Sequence, residues 1–462
     1  MAVRVRPARD ARPDNRLALV DQGFFAGQRA AGQDEVMQVV WVYEHALDFD
    51  GLRRFHRLLG HGWLGRRIER SPLPFGRHRW VADHEPPDID IAECARPRAE
   101  LSDWADERAQ LQTDPEEGPG WHLGVLPLTD GSTAVSLVAS HYLLDGLGLC
   151  AAMADAILGN TRDPGYPPPR SRTRLGAVVQ DARQTARDLP QVARALVAAA
   201  KLARKQAGRR DDTAQSSSSQ RVALGGVEGD TPVVVPGITI AVDLAEWDAR
   251  AKALGGTSNT LAAALTAKLG ERIGRRRGDG AVTVQLIMSE RTDGDDSRAL
   301  AVSIAHVAVD PTRATTDLRD TRADIKQALD TRRETPDESL QLASLVPFTP
   351  KRTWKRGVEA ALSDPDRPVV YSNIGDVGQI ISQPDGTHCE YAYARGTRKR
   401  VTRQWLERIG GQMQLLSFRL PVCGKISIHV LAYQPGAENT KPALRALAAR
   451  ALAEFDLAGQ ID

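Results

Sequence analysis

Apolar runs of strand length alternate with amphipathic stretches of helix length on both sides of one long interruption. That pattern restricts the chain to two α/β halves joined by a connecting segment. Before the interruption, Val36–Tyr43 is rich in β-branched and aromatic residues, and Asp50–Leu59 reads as a helix closed at Gly60. Trp121–Leu128 and Thr133–Ser140 read as strands joined by Thr129-Asp130-Gly131-Ser132, a hairpin turn signal, and Gly146–Leu158 as a small-residue helix. After it, Asp243–Leu254 opens with Asp243 at the cap position and Glu246 three residues on, and stops at Gly255-Gly256. Ser258–Ile273 and Thr316–Arg333 follow as helices; Ala281–Ser289, Ala301–Val309, Val369–Ile374, Gln412–Leu420 and Lys425–Tyr433 follow as strands. Pro442–Phe455 ends the pattern as a helix with Leu444, Leu447, Leu452 and Phe455 near one face. No short-period repeat is present, which excludes a solenoid.

The interruption has linker chemistry at both ends: Pro164 and Pro167–Pro169 open it, and Ser216–Ser219 lies near its close. Between them Leu175–Ala207 is rich in Ala, Leu and Val. Residues 171–210 carry ten Arg and Lys against Asp181 and Asp188, a local net of +8. Such a helix reads as a solvated basic linker, or as one that lies on an anionic membrane or grips an acidic carrier. The expected organisation is an N-terminal domain over 1–160, a basic helical linker over 161–236 and a C-terminal domain over 237–462. A chain of 462 residues has room for this, at roughly 100–200 residues per domain.

Charge excludes a coat of nucleic acid: 61 Lys and Arg nearly cancel 59 Asp and Glu. Cysteines at 94, 150, 389 and 423 have neither disulfide-framework nor zinc spacing, so a reducing compartment is expected. The first sixteen residues alternate in charge and lack the apolar core of a signal peptide, and no apolar run approaches the ~18 residues of a spanning helix. The expected location is cytoplasmic, with at most attachment to a membrane surface.

The strongest chemical signal is Ser140-His141-Tyr142-Leu143-Leu144-Asp145-Gly146, directly after a strand pattern and directly before a helix pattern. A strand end is a rigid place from which to present a side chain into a cleft. Histidine is the natural general base near neutral pH. Asp145, four residues on, suits a loop anchor paired with an arginine, and Gly146 permits backbone conformations that other residues resist.

These residues resemble the acyltransferase superfamily that includes chloramphenicol acetyltransferase, condensation domains of peptide synthetases, plant-type alcohol acyltransferases and wax-ester/diacylglycerol synthases. Thr113–Gly120 followed by Trp121-His122-Leu123 is similar to the approach to the site in the wax-ester-synthase branch. Gly255–Asn259, Gln285–Arg291, Arg298-Ala299-Leu300, Val370–Asn373 and Lys425–Val430 follow in the family's order. The resemblance implies two chloramphenicol-acetyltransferase-like α/β sandwich domains with an active-site tunnel between them. His141 would deprotonate a hydroxyl or amine that attacks an acyl thioester, carried on coenzyme A or a carrier protein, with no further cofactor and no metal. Asp145 would pair with Arg291, with Arg298 in reserve, and Ser372 and Asn373 would line the cleft near the developing oxyanion. Two-histidine branches carry a histidine where this chain has Ser140; plant-type alcohol acyltransferases use only the second. The resemblance favours a lipid-like alcohol as acceptor, with amide formation from a carrier-bound donor, or an inactive scaffold, as alternatives.

Other reactive side chains read as structural. Cys150 sits inside the small-residue helix with no base aimed at it. His56 and His61 have no carboxylate at ligand spacing, and His306–Asp310 continues to Pro311 instead of glycine. Arg66–Arg70 and Arg77–Arg79 read as a solvated basic face, with coenzyme A phosphates as the alternative.

Overall fold

The computed structural model describes residues 14–213, 232–291, 296–334, 342–354, 356 and 368–462. The Ser216–Ser219 run and residues 1–13 lie outside them. The first half contributes strands β1 (Asp34–Tyr43), β2 (Arg66–Glu69), β3 (Arg79–Ala82), β4 (Asp90–Ile91), β5 (Trp121–Pro127) and β6 (Thr133–Ser140). Its helices are α1 (Leu19–Ala31), α2 (Phe49–Gly60), α3 (Leu101–Gln110) and α4 (Gly146–Ile157), followed by the long α5 (Arg174–Thr213). The second half adds β7 (Gly237–Asp243), β8 (Val282–Ser289), β9 (Val302–Val309), β10 (Val369–Asp376), β11 (Tyr391–Lys399), β12 (Gln412–Leu420), β13 (Lys425–Tyr433) and β14 (Gln460–Ile461). With them come α6 (Leu244–Ala253), α7 (Ser258–Arg272), α8 (Arg319–Glu334), α9 (Arg403–Arg408) and α10 (Lys441–Ala453).

Two sheets organise the molecule, in the orders β11-β1-β6-β5-β4 and β14-β7-β13-β12-β10-β8-β9. Each is covered by helices and carries its own core. Trp41, Leu52, Phe55, Leu123 and Leu137 fill the first lobe. Trp247, Leu261, Leu265, Ile428 and Phe455 fill the second. Each such side chain, once buried, contributes on the order of 1.5–3 kcal/mol.

Sheet membership departs from the expected domain boundaries at one element. β11 belongs by sequence to the second half but pairs antiparallel with β1 over Asp34–Val42, from Asp34↔Lys399 to Val42↔Tyr391. The physical reason is that β1 would otherwise be an unpaired edge, and β11 covers it. The strand also packs a buried arginine: Arg395 is paired with Asp106 of α3 and only 5% exposed.

The Arg66–Arg79 hairpin is a second departure from expectation. Arg66 and Arg79 are buried, not solvated. Arg66 stacks between Trp80 at 4.0 Å and Trp63 at 4.9 Å, and Arg79 bonds Asp181 of α5 at 3.0 Å. Asp181 also accepts from Arg172 at 3.0 Å and from the Ser71 hydroxyl at 2.7 Å, which seats the inner side of α5 on the first lobe. Among the described residues, no helix is long and apolar enough to cross a membrane.

Candidate active site

β1 and β6 run antiparallel in the register Val36↔Ser140, so the chain leaves β6 beside the start of β1. There the His141 amide donates to the Glu35 carbonyl at 2.9 Å. Five residues later α4 begins, because Asp145 caps it: its Oδ1 accepts from the Gly148 amide at 2.7 Å. The same carboxylate reaches the second lobe. Arg291 lies 2.8 Å from Asp145 Oδ2, its Nε donates to Oδ1 at 3.2 Å, and the Ala301 amide donates to Oδ2 at 2.9 Å. Asp145 is 3% exposed, so this is a buried, saturated anchor between lobes. Arg298, the reserve partner, bonds Asp296 at 2.7 Å instead.

The glycines at the start of α4 serve close approach. Gly146 is not in the left-handed region, contrary to the conformational role read from sequence. A Cβ on it would meet Ile374 Cδ1 of the second lobe at 2.9 Å, and one on Gly148 would meet Arg291 Nη2 at 2.9 Å.

His141 opens onto a cavity with roughly 700 Å³ of empty space, part of it continuous with solvent. One wall comes from β1 and β11, through Glu35, Met37, Val39 and Ala394. The opposite wall comes from β10 and β12, through Ser372, Ile374, Gln414, Leu416 and Phe418; Leu149, Cys150 and Met153 of α4 form the floor. The cavity therefore lies between the two lobes, mostly apolar, with few polar groups. The Nδ1 of His141 is buried and has no hydrogen-bond partner, and the Phe24 ring packs edge-on against the imidazole at 5.6 Å.

The remaining sequence candidates separate. Ser372 faces the cavity, whereas Asn373, its neighbour on the strand, faces the other way: its Nδ2 donates to Asn259 at 3.1 Å, and its Oδ1 accepts from the Ser417 hydroxyl at 3.2 Å. Burial, aided by the charge of Asp145, pushes the Cys150 thiol up to about 12, so it is no nucleophile at neutral pH. His306 stands on the exposed side of the edge strand β9.

Two groups in the same machinery were not read from the sequence. Asp21 of α1, 4% exposed, accepts from the amides of Ala299 at 2.9 Å and Leu300 at 2.8 Å. Arg66 donates to the Leu143 carbonyl at 2.6 Å and to the Ser297 carbonyl at 2.8 Å. Asp21, Arg66 and Asp145 thus hold one stretch of the second lobe, 297–301, against the loop that carries His141. The only sequence signal was the ionisable type of each residue within an apolar neighbourhood.

No protein-family model and no curated protein sequence matches the chain. Solved structures do match along its whole length. The first condensation domain of the CDA synthetase aligns with a TM-score of 0.54 and 12% identity, covering 98% of this chain and 100% of that one. A trichothecene 15-O-acetyltransferase from Fusarium sporotrichioides gives 0.55 at 12%, over 98% and 99%. A wax ester synthase/diacylglycerol acyltransferase from Marinobacter aquaeolei VT8 gives 0.50 at 15%, over 96% and 98%. With two α/β lobes, a crossover strand and a cavity between them, this chain has the chloramphenicol-acetyltransferase-like fold of the condensation domains and acyltransferases.

Proposed function

We propose that the protein transfers an acyl group from a thioester, on coenzyme A or a carrier protein, to the hydroxyl of a lipid-like acceptor, with His141 as general base. The observation that carries this reading is His141 itself: it stands at the inter-lobe cavity on a loop anchored from both lobes, with no side-chain partner at its buried Nδ1. With the ring proton on Nδ1, Nε2 takes the proton of the acceptor hydroxyl. The alkoxide adds to the thioester carbonyl, and the Ser372 hydroxyl donates to the resulting oxyanion. Collapse breaks the C–S bond, and the departing thiolate takes the proton from the imidazolium. The products are an ester and a free thiol, with no covalent acyl-enzyme. The apolar lining from Leu149, Met153, Ile374 and Phe418 suits an acyl chain or an aliphatic acceptor.

The test is thiol release from short-, medium- and long-chain acyl-coenzyme A, with alcohol or amine acceptors, comparing wild type with His141→Ala. Release that needs an alcohol and vanishes in the variant supports the proposal. Release with amines alone moves the reading to amide formation. A wild-type protein silent with both coenzyme A and carrier-bound donors overturns it in favour of a scaffold.

A further inference from the structure

The outward side of α5 differs from that of an ordinary linker helix. Leu175, Leu189, Leu196 and Val197 are 75%, 53%, 57% and 57% exposed. Their spacing places them on one stripe, which small residues continue between them. From Leu175 to Leu196 the stripe runs about 30 Å at ~1.5 Å per residue. Arg183, Arg187 and Arg194 are exposed and line one flank of it. Both acidic residues of 171–210 are turned inward: Asp181 is 2% exposed against Arg79, and Asp188 faces a groove that α5 forms with the first lobe and with Ser344, Pro347 and Phe348. Between residues 174 and 200 the outward face is therefore apolar, and its charges are cationic.

We propose that this face of α5 docks on an anionic lipid surface, with the leucine stripe at the depth of the headgroup–acyl boundary and the arginines among phosphates. Charge complementarity selects this occupant over a second copy of the chain, which would bring the same arginines together without a carboxylate between them. The length of the stripe suits an extended plane. Docking requires nothing of the acyl-transfer chemistry, so the two readings stand or fall separately.

The test uses the full chain and sedimentable phosphatidylcholine vesicles with and without phosphatidylglycerol. Wild type should partition strongly to the anionic vesicles and lose that preference in high salt. Replacing the three arginines together (Arg183→Gln, Arg187→Gln, Arg194→Gln) should weaken partitioning roughly a hundredfold. Leu189→Ser with Leu196→Ser should weaken it roughly tenfold or more. Both variants should keep the wild-type melting temperature, because the altered side chains face solvent. Equal binding to neutral and anionic vesicles, or binding unchanged in both variants, overturns the proposal. So does a wild-type dimer that dissociates in the leucine variant while neither protein binds vesicles, and so does capture of an acidic carrier protein, lost in the arginine variant, without vesicle binding.

Discussion

The two ends of the loop between β6 and α4 are built for opposite purposes. Asp145 is saturated by a helix amide, the Ala301 amide just before β9 and a guanidinium from the other lobe, and is sealed from water. His141, four residues earlier, lines the cavity and leaves its buried Nδ1 without a partner. A satisfied buried carboxylate fixes structure, and removing it leaves the Arg291 charge with backbone carbonyls but no counter-charge. A ring without a committed partner contributes little to stability and remains free for chemistry. The motif thus divides into an anchor and a reactive group, and mutation can separate them.

The largest effect is expected at the reactive end. His141→Ala should lower the rate of acceptor-dependent thiol release by 10²–10⁴, in the range for a positioned general base. Its melting temperature should stay close to wild type, as differential scanning fluorimetry would read. A large loss of stability in this variant would erase the division between the two ends.

At the anchor the signs reverse. Asp145→Ala should cost about 3–5 kcal/mol of stability in denaturant unfolding, the usual cost of breaking a buried ion pair. Activity should fall with it as the loop loosens. Asp145→Asn keeps an acceptor for the Gly148 amide and should lose less. If Asp145→Ala melts with the wild type, the carboxylate is not an anchor.

How much of this was legible in the residues depends on how ordinary their surroundings are. β6 and α4 were readable because an apolar, β-rich run ends at Ser140 and a small-residue run begins at Gly146. β11 was not, because Arg395, Gly396, Arg398 and Lys399 break its apolar pattern. The burial of Arg395 and Lys399 depends on Asp106 and Thr113, nearly 300 residues away in sequence. Arg66 misled for the same reason: a guanidinium between two indoles looks, in sequence, like any surface arginine. The approach of Arg291 to Asp145, 146 residues earlier, followed from resemblance alone. Asn373 was placed with Ser372 by the same resemblance, yet alternation along a strand sends neighbours to opposite faces.

That alternation supplies the next test. Ser372→Ala should reduce turnover on the order of a hundredfold if its hydroxyl meets the oxyanion, with KM and melting temperature nearly unchanged. Asn373→Ala should do the converse, costing about 1 kcal/mol through its lost bonds to Asn259 and Ser417. Equal kinetic losses in both variants would mean that the strand, and not one face of it, matters to the reaction.

A second histidine sharpens the comparison through pH. His122 on β5 is 7% exposed, and its Nδ1 accepts from Arg108 Nη2 at 3.1 Å. Burial, reinforced by the positive charge of Arg108, pushes its pKa down to about 3. The unfolded chain titrates near 6.5, so on acidification the unfolded state takes up the proton first. The stability this neutral ring contributes is therefore complete above pH ~6.5 and is lost as pH falls from there toward 3. Between pH 7 and pH 5 the loss amounts to about 2 kcal/mol. His122→Gln should flatten that part of the stability profile, measured as the difference in denaturation midpoint between the two pH values. Equal pH slopes in wild type and His122→Gln would show that the acid sensitivity arises elsewhere, with His78, which burial holds at about 4, the next group to replace.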